Sequence, residues 1–146
     1  MPLSKRHLDT QEQATPVDAD AMAKVLSEEF PQIAFALLLG SAARGVVGPH
    51  SDLDLAVYCV EPLTLDDRVS LIQRVEDLHR GVRCDLGFLN APEPVYRFEA
   101  IQGRLLFARD RELWLRFYSV TCREYESQMF HYEKQHRYRL EARSTA

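Results

Sequence analysis

Three aspartates and one glycine–serine pair carry the chemistry legible in this chain. Residues 40–54 read Gly-Ser-Ala-Ala-Arg-Gly-Val-Val-Gly-Pro-His-Ser-Asp-Leu-Asp. Side chains alternate along a strand, so Asp52 and Asp54 are expected on one face, with Leu53, Leu55 and Val57 on the other. Two carboxylates side by side repel unless a proton or a cation lies between them. Oxygen-only donors favour a hard divalent ion, and Mg²⁺ typically takes one or two carboxylates plus substrate phosphates. Mn²⁺ accepts the same donors. At the other end of the stretch, Gly40 permits a tight turn and Ser41 falls where a helix starts. The free N–H groups of such a helix start can hold a phosphate. A metal seat beside a phosphate seat suits a nucleoside triphosphate bound as its metal complex.

Each half of the pattern has a plainer explanation when taken alone. A turn glycine with an N-cap serine occurs at many strand-to-helix junctions, and surface strands often carry paired acids. Here ten residues separate Ser41 from Asp52, and Asp85 follows inside the apolar frame Val82-Arg-Cys-Asp-Leu86. That combination is hard to explain structurally, because buried carboxylates are rarely tolerated without a cation. The acids are therefore expected to be buried around one. Arg44, one turn into the short helix, reaches either the phosphates or Asp52; a surface ion pair of the second kind is worth little. No Lys follows Gly45 as a Walker loop requires, and the dinucleotide fingerprint is absent.

The elements that must position these groups are legible around them. Apolar runs at 33–39 and 53–57, bounded by Gly and Pro, read as buried strands. Within residues 17–30, Met22, Val25, Leu26 and Phe30 follow helical spacing, and Pro31 ends the run. Thr64 with Asp67 makes a capping-box-like start for a helix striped by Leu65, Val69, Ile72, Val75 and Leu78. Residues 82–89 read as a third strand, 94–101 as a weaker helix and 105–107 as a fourth strand. This alternation predicts an α/β fold with a single sheet of about four strands flanked by helices.

From residue 110 to 140 the chain contains neither Gly nor Pro. One helix would run roughly 45 Å there, against a compact domain of about 30–35 Å. Part of it must protrude or cross the whole face. Tyr118, Cys122, Tyr125, Met129, Tyr132 and His136 recur at helical steps, as a partner-facing seam would. For residues 113–125, packing of this stripe on the sheet is the favoured reading. Beyond Met129 the helix is basic and aromatic through Lys134, Arg137, Tyr138 and Arg139, which favours docking onto a partner.

Composition sets the outer bounds. A chain of 146 residues fits one domain with a real core. The net charge of −4 argues against direct nucleic-acid binding, although it leaves room for a local basic patch. The longest apolar run is seven residues, so no membrane span is expected, and no signal peptide is visible. Cys59, Cys84 and Cys122 are odd in number and lack metal spacing, which fits reduced thiols in the cytoplasm. His79, His131 and His136 read as surface or seam residues. His50, Tyr58 and Cys84 flank the acids without an assigned role, and Arg83 and Arg104 stand where either could border the pocket.

At this point the residues carry a resemblance. The string G-S-x-A-R-G-(x5)-S-D-x-D resembles the motif of the polymerase-β-like nucleotidyltransferase superfamily, and within it the minimal nucleotidyltransferase (MNT) branch, many of whose members pair with HEPN proteins. The resemblance covers residues 33–110. It implies a mixed sheet and a third carboxylate at Asp85. It also implies two Mg²⁺ ions on Asp52, Asp54 and Asp85, with ATP phosphates held by Gly40 and Ser41. The domains would then be a flexible arm at 1–15, the nucleotidyltransferase domain at 16–110 and a C-terminal helix at 111–146, partly packed on that domain and partly partner-facing. The implied function is an antitoxin that transfers AMP to a tyrosine of a HEPN ribonuclease toxin. Two alternatives stay open: a nucleotidyltransferase acting on a small aminoglycoside-like molecule, and a steric binding module with little catalysis.

Overall fold

The computed structural model of the chain describes residues 14–144. The first thirteen positions of the expected arm lie outside the described residues. Thr15–Pro16 form a short strand, β1, paired antiparallel with β3 at Val46–Val47. This small second sheet has no counterpart in the sequence reading, because two-residue strands carry no periodicity to detect.

Helix α1 spans Ala19–Glu29, with Asp18 accepting the Ala21 N–H at 3.0 Å as its N-cap. Strand β2 follows at Ile33–Leu39, then a 3-10 helix at Gly40–Arg44, and strand β4 at Leu53–Cys59. Helix α2, Leu65–Leu78, opens on the expected capping box, with both Thr64–Asp67 bonds formed. Strand β5 covers Cys84–Phe88, helix α3 Pro94–Ile101, strand β6 Arg104–Ala108 and helix α4 Arg111–Ser144.

The main sheet runs β5-β4-β2-β6. Strands β4 and β5 are parallel and the other two pairings antiparallel, so the sheet is mixed. One face packs on α1 and α2: Ala36, Leu38, Leu53, Leu55 and Val57 join Met22, Leu26, Leu71 and Val75 in one core. The other face packs on α3 and α4, where Phe35, Leu37, Ala56 and Leu89 meet Ala100, Ile101 and Phe117. Phe35 sits at the centre of this second core, stacked on Tyr58 at 4.9 Å and meeting Trp114 edge-on at 5.1 Å.

Three expectations are corrected. In α2 the packed residues are Leu71 and Val75, while Leu65, Val69 and Leu78 of the expected stripe are exposed. His79 is 3% exposed rather than on the surface. Its Nε2 accepts the Asp18 N–H at 3.0 Å and its Nδ1 faces the Val75 carbonyl at 3.0 Å, so the ring ties the start of α1 to the end of α2. The packed stripe of α4 also begins earlier than the seam read from sequence. Leu113, Trp114 and Phe117 pack inward while Tyr118 is 43% exposed, and the two stripes merge only at Cys122 and Tyr125. Residues 130–143 are all exposed. At about 1.5 Å per residue, 34 residues reach roughly 50 Å, so the last turns extend past the domain. Among the described residues no helix is long and apolar enough to cross a membrane.

Candidate active site

Asp54 and Asp85 are register partners in the parallel β4–β5 ladder. Partners in a ladder project to the same side, so these two carboxylates stand next to each other on the α3/α4 face. Leu39, the register partner of Asp54 on β2, completes the row. The row behind it is Leu37, Ala56 and Gly87. Two of those three positions are small, and they leave room above the sheet. A hollow of about 570 Å³ opens there, with Gly40, Asp54, Asp85, Gly87, Tyr96 and Glu99 in its wall.

Gly40 joins the turn to the acids. Its φ is +60°, and a Cβ there would lie 3.2 Å from Asp54 Oδ2. Glycine is therefore favoured twice, by the left-handed backbone and by a close approach that would push the Asp54 carboxylate aside. The expectation that Ser41 caps a helix is corrected: the element is a 3-10 helix, its N-cap is the extended Leu39, and no side chain caps it. Ser41 is half-buried behind Gly40. Arg44 ends the 3-10 helix, exposed, and is not among the residues lining the hollow.

Asp52 departs from the expected arrangement. It precedes β4 rather than sharing the strand face, and it lines a second hollow of about 550 Å³ together with His50, Arg80 and Arg83. Arg104 is exposed on β6. The acids are also less buried than expected. Asp52 and Asp85 are exposed and Asp54 is half-buried, because the site sits at the open end of the α3/α4 face rather than inside the core.

The electrostatics still link all three. Burial first, then the negative charges of Asp85 and Asp52, hold the Asp54 carboxyl above the ordinary carboxylate range. A cation between them would remove that repulsion, and an all-oxygen donor set suits a hard divalent ion. Among the described residues no three Asp, Glu, His or Cys groups form a ready cage for a metal. Two adjacent carboxylates with the remaining positions open fit an ion that arrives with phosphate oxygens and keeps water, as Mg²⁺ commonly does.

Sequence reasoning missed Gly87, Tyr96 and Glu99. Gly87 follows Asp85 by two, the spacing of one strand face, and was available as a signal. Tyr96 and Glu99 lie three apart on α3 and share a helix face, but nothing in the sequence says which way that face turns. The Tyr96 hydroxyl lies over Gly87 where any Cβ would collide with it. Burial, followed by the charges of Asp85, Asp54 and Glu99, pushes the Tyr96 phenol up. Cys84, between the acids and Glu76, is pushed up to about 12, mainly by burial, which leaves its thiol inert at neutral pH. Helix α3 is fixed to α4 by the Phe98–Tyr125 stack at 3.8 Å and by Arg97, which lies 5.3 Å over Phe117 and 3.9 Å from Glu124.

A mixed sheet that sets two carboxylates on adjacent parallel strands, beside a glycine turn into a short helix, defines a domain of the nucleotidyltransferase class. Residues 21–112 match the family model described as polymerase beta, nucleotidyltransferase, and the chain belongs to that family. No curated protein matches it. The fold is similar to that of a toxin–antitoxin complex, MntA with HpeT, carrying two Asp-to-Glu substitutions. That likeness has a TM-score of 0.63 at 21% identity and covers 89% of this chain and 100% of the other. A toxin–antitoxin structure with AMP-PNP gives 0.61 at 21%, covering 89% and 100%. A tri-AMPylated HEPN toxin from Shewanella oneidensis, in complex with MNT antitoxin, gives 0.56 at 19%, covering 88% and 96%.

Proposed function

We propose that this chain transfers AMP from ATP to a hydroxyl of a protein acceptor, a tyrosine of a cognate HEPN toxin, and so acts as its antitoxin. The observation that carries the reading is the pairing of Asp54 with Asp85 across β4 and β5, beside Gly40. Asp54 and Asp85, with Asp52 next to them, would hold divalent metal, Mg²⁺ or Mn²⁺. When bound, such ions neutralise phosphate charge and stabilise the entering and leaving oxygens of an in-line displacement. Gly40 and Ser41 present helix-start amides to the triphosphate, and Arg44 supplies a cation at the far end of the same short helix. Asp85 stands on the open side and takes the proton as the acceptor hydroxyl attacks the α-phosphorus and pyrophosphate leaves. Positioning and fixed charge carry the rate.

The similar folds support this choice of acceptor: one complex contains an AMPylated HEPN toxin, and another holds AMP-PNP. The exposed part of α4 beyond Met129, with Phe130, Tyr132 and Tyr138 each 58–64% exposed, supports docking of the toxin there. Co-expression with a HEPN toxin, followed by incubation with ATP labelled in the α-phosphate, tests the reading. Label should reach a toxin tyrosine and should vanish with Asp85→Asn. Label passing to small aminoglycoside alcohols but not to the toxin would replace it with the small-molecule alternative. Full neutralisation by a variant lacking all three acids would replace it with the steric one.

A further inference from the structure

The α3 helix places a phenol inside the hollow that the acids line. Gly87 lies two residues beyond Asp85 on the same strand face, and the Tyr96 hydroxyl rests over it in the space a side chain would take. Asp54, Asp85 and Glu99 line the hollow with it. The phenol is presented there rather than swinging in from solvent, because α3 is held to α4 by the Phe98–Tyr125 stack and the Arg97 contacts. Nothing in the core requires a hydroxyl at that point, since a phenylalanine would pack the same ring against the α3/α4 core.

We propose that Tyr96 is itself a nucleotide acceptor, so that the chain places one AMP on its own α3 helix. This rests on the reading of the site as an AMP transferase for tyrosine hydroxyls. The Tyr96 oxygen forms a bond to the α-phosphorus of ATP, and the bond from that phosphorus to the bridging oxygen breaks. Pyrophosphate leaves with the electron pair, and the phenolic proton passes to a neighbouring carboxylate and then to water. No oxidant or further reactant is needed. A hydroxyl held in the site needs no encounter, and well-oriented intramolecular reactions reach effective concentrations of about 10⁵–10⁸ M. The product, a phosphodiester at Tyr96, would fill the hollow and limit the binding of a second ATP. Self-modification therefore competes with transfer to the partner and dominates when the partner is absent.

The test is a peptide mass spectrum of the full chain after incubation with ATP and Mg²⁺, alone and in complex with a HEPN toxin. One AMP is expected on the Tyr96 peptide of the free chain, with less in the complex and none in Tyr96→Phe or Asp85→Asn. Gly87→Ala, whose new methyl group displaces the phenol, should cut the modified fraction at least tenfold. The modified chain should bind AMP-PNP at least tenfold more weakly than the unmodified one, and equal affinity would overturn the placement of the product in the hollow. AMP on the toxin but never on Tyr96 would overturn this proposal and leave the transferase reading standing. AMP on neither would overturn both.

Discussion

On the face of the sheet that meets α1 and α2, the inward positions of β4 are Leu53, Leu55 and Val57, each at most 1% exposed. One residue out of phase, the same strand presents Asp54, Ala56 and Tyr58 to α3 and α4. The first face is a continuous, fully buried aliphatic layer. The second is graded along the strand: aromatic packing at Tyr58, a small residue at Ala56, then a carboxylate at the open end. Stability is thus concentrated on one side of β4, and on the other side the strand turns progressively from core into site. A strand makes this possible because its period of two lets neighbouring residues answer to unrelated demands.

Substitutions on the two faces should separate those demands, and the largest effect belongs to the acid row. Asp54→Asn should lower AMP transfer by about a hundred- to a thousandfold, as loss of one preorganised electrostatic group typically does. The same variant should melt higher at pH 7. The folded-state pKa of Asp54 is raised, so ionisation costs stability at neutral pH, and its full contribution to stability is present only below the ordinary carboxylate range. The thermal advantage of the amide should therefore shrink as pH falls towards about 4 and be gone below it. A variant that loses activity and melts lower at pH 7 would show that Asp54 supports the fold as well as the site.

The aliphatic face should respond the opposite way. Leu55→Ala should cost about 2–5 kcal/mol in denaturant unfolding, the range for a large-to-small change in a closed core. A cost below about 1 kcal/mol would mean that this layer is not the sheet's main support. A smaller effect is expected at the edge of that layer. His79→Ala should cost about 1–3 kcal/mol, because the Asp18 N–H and the Val75 carbonyl lose their partner. Unchanged unfolding would show that water replaces the ring freely.

Much of the frame was legible in the order of residues. The strands at 33–39 and 53–57 (the second running on to Cys59), the Thr64 capping box and the helix starting at Pro94 all follow from local signals: apolar runs, a reciprocal cap and a proline at a helix start. The mixed sheet was implied by the motif rather than by any local signal. The candidate site was legible in its residue types and less so in its geometry. Asp52 falls outside β4, which begins at Leu53, so strand alternation does not fix its direction, and it lines the neighbouring hollow with His50, Arg80 and Arg83. His79 looked like a surface residue because its partners lie in two helices, one of them 61 positions away.

The sequence by itself determined which chemistry the chain can support: acids at Asp52, Asp54 and Asp85, a glycine at the turn, and a helix too long for the domain it leaves. Those are properties of residue type and spacing along one dimension. Only the tertiary structure decided that Asp54 and Asp85 meet as ladder partners, that Asp52 faces a neighbouring hollow, and that Tyr96 closes over Gly87. Each of these depends on the register between segments far apart in the chain, and register is set by how whole faces pack rather than by any residue's own preference.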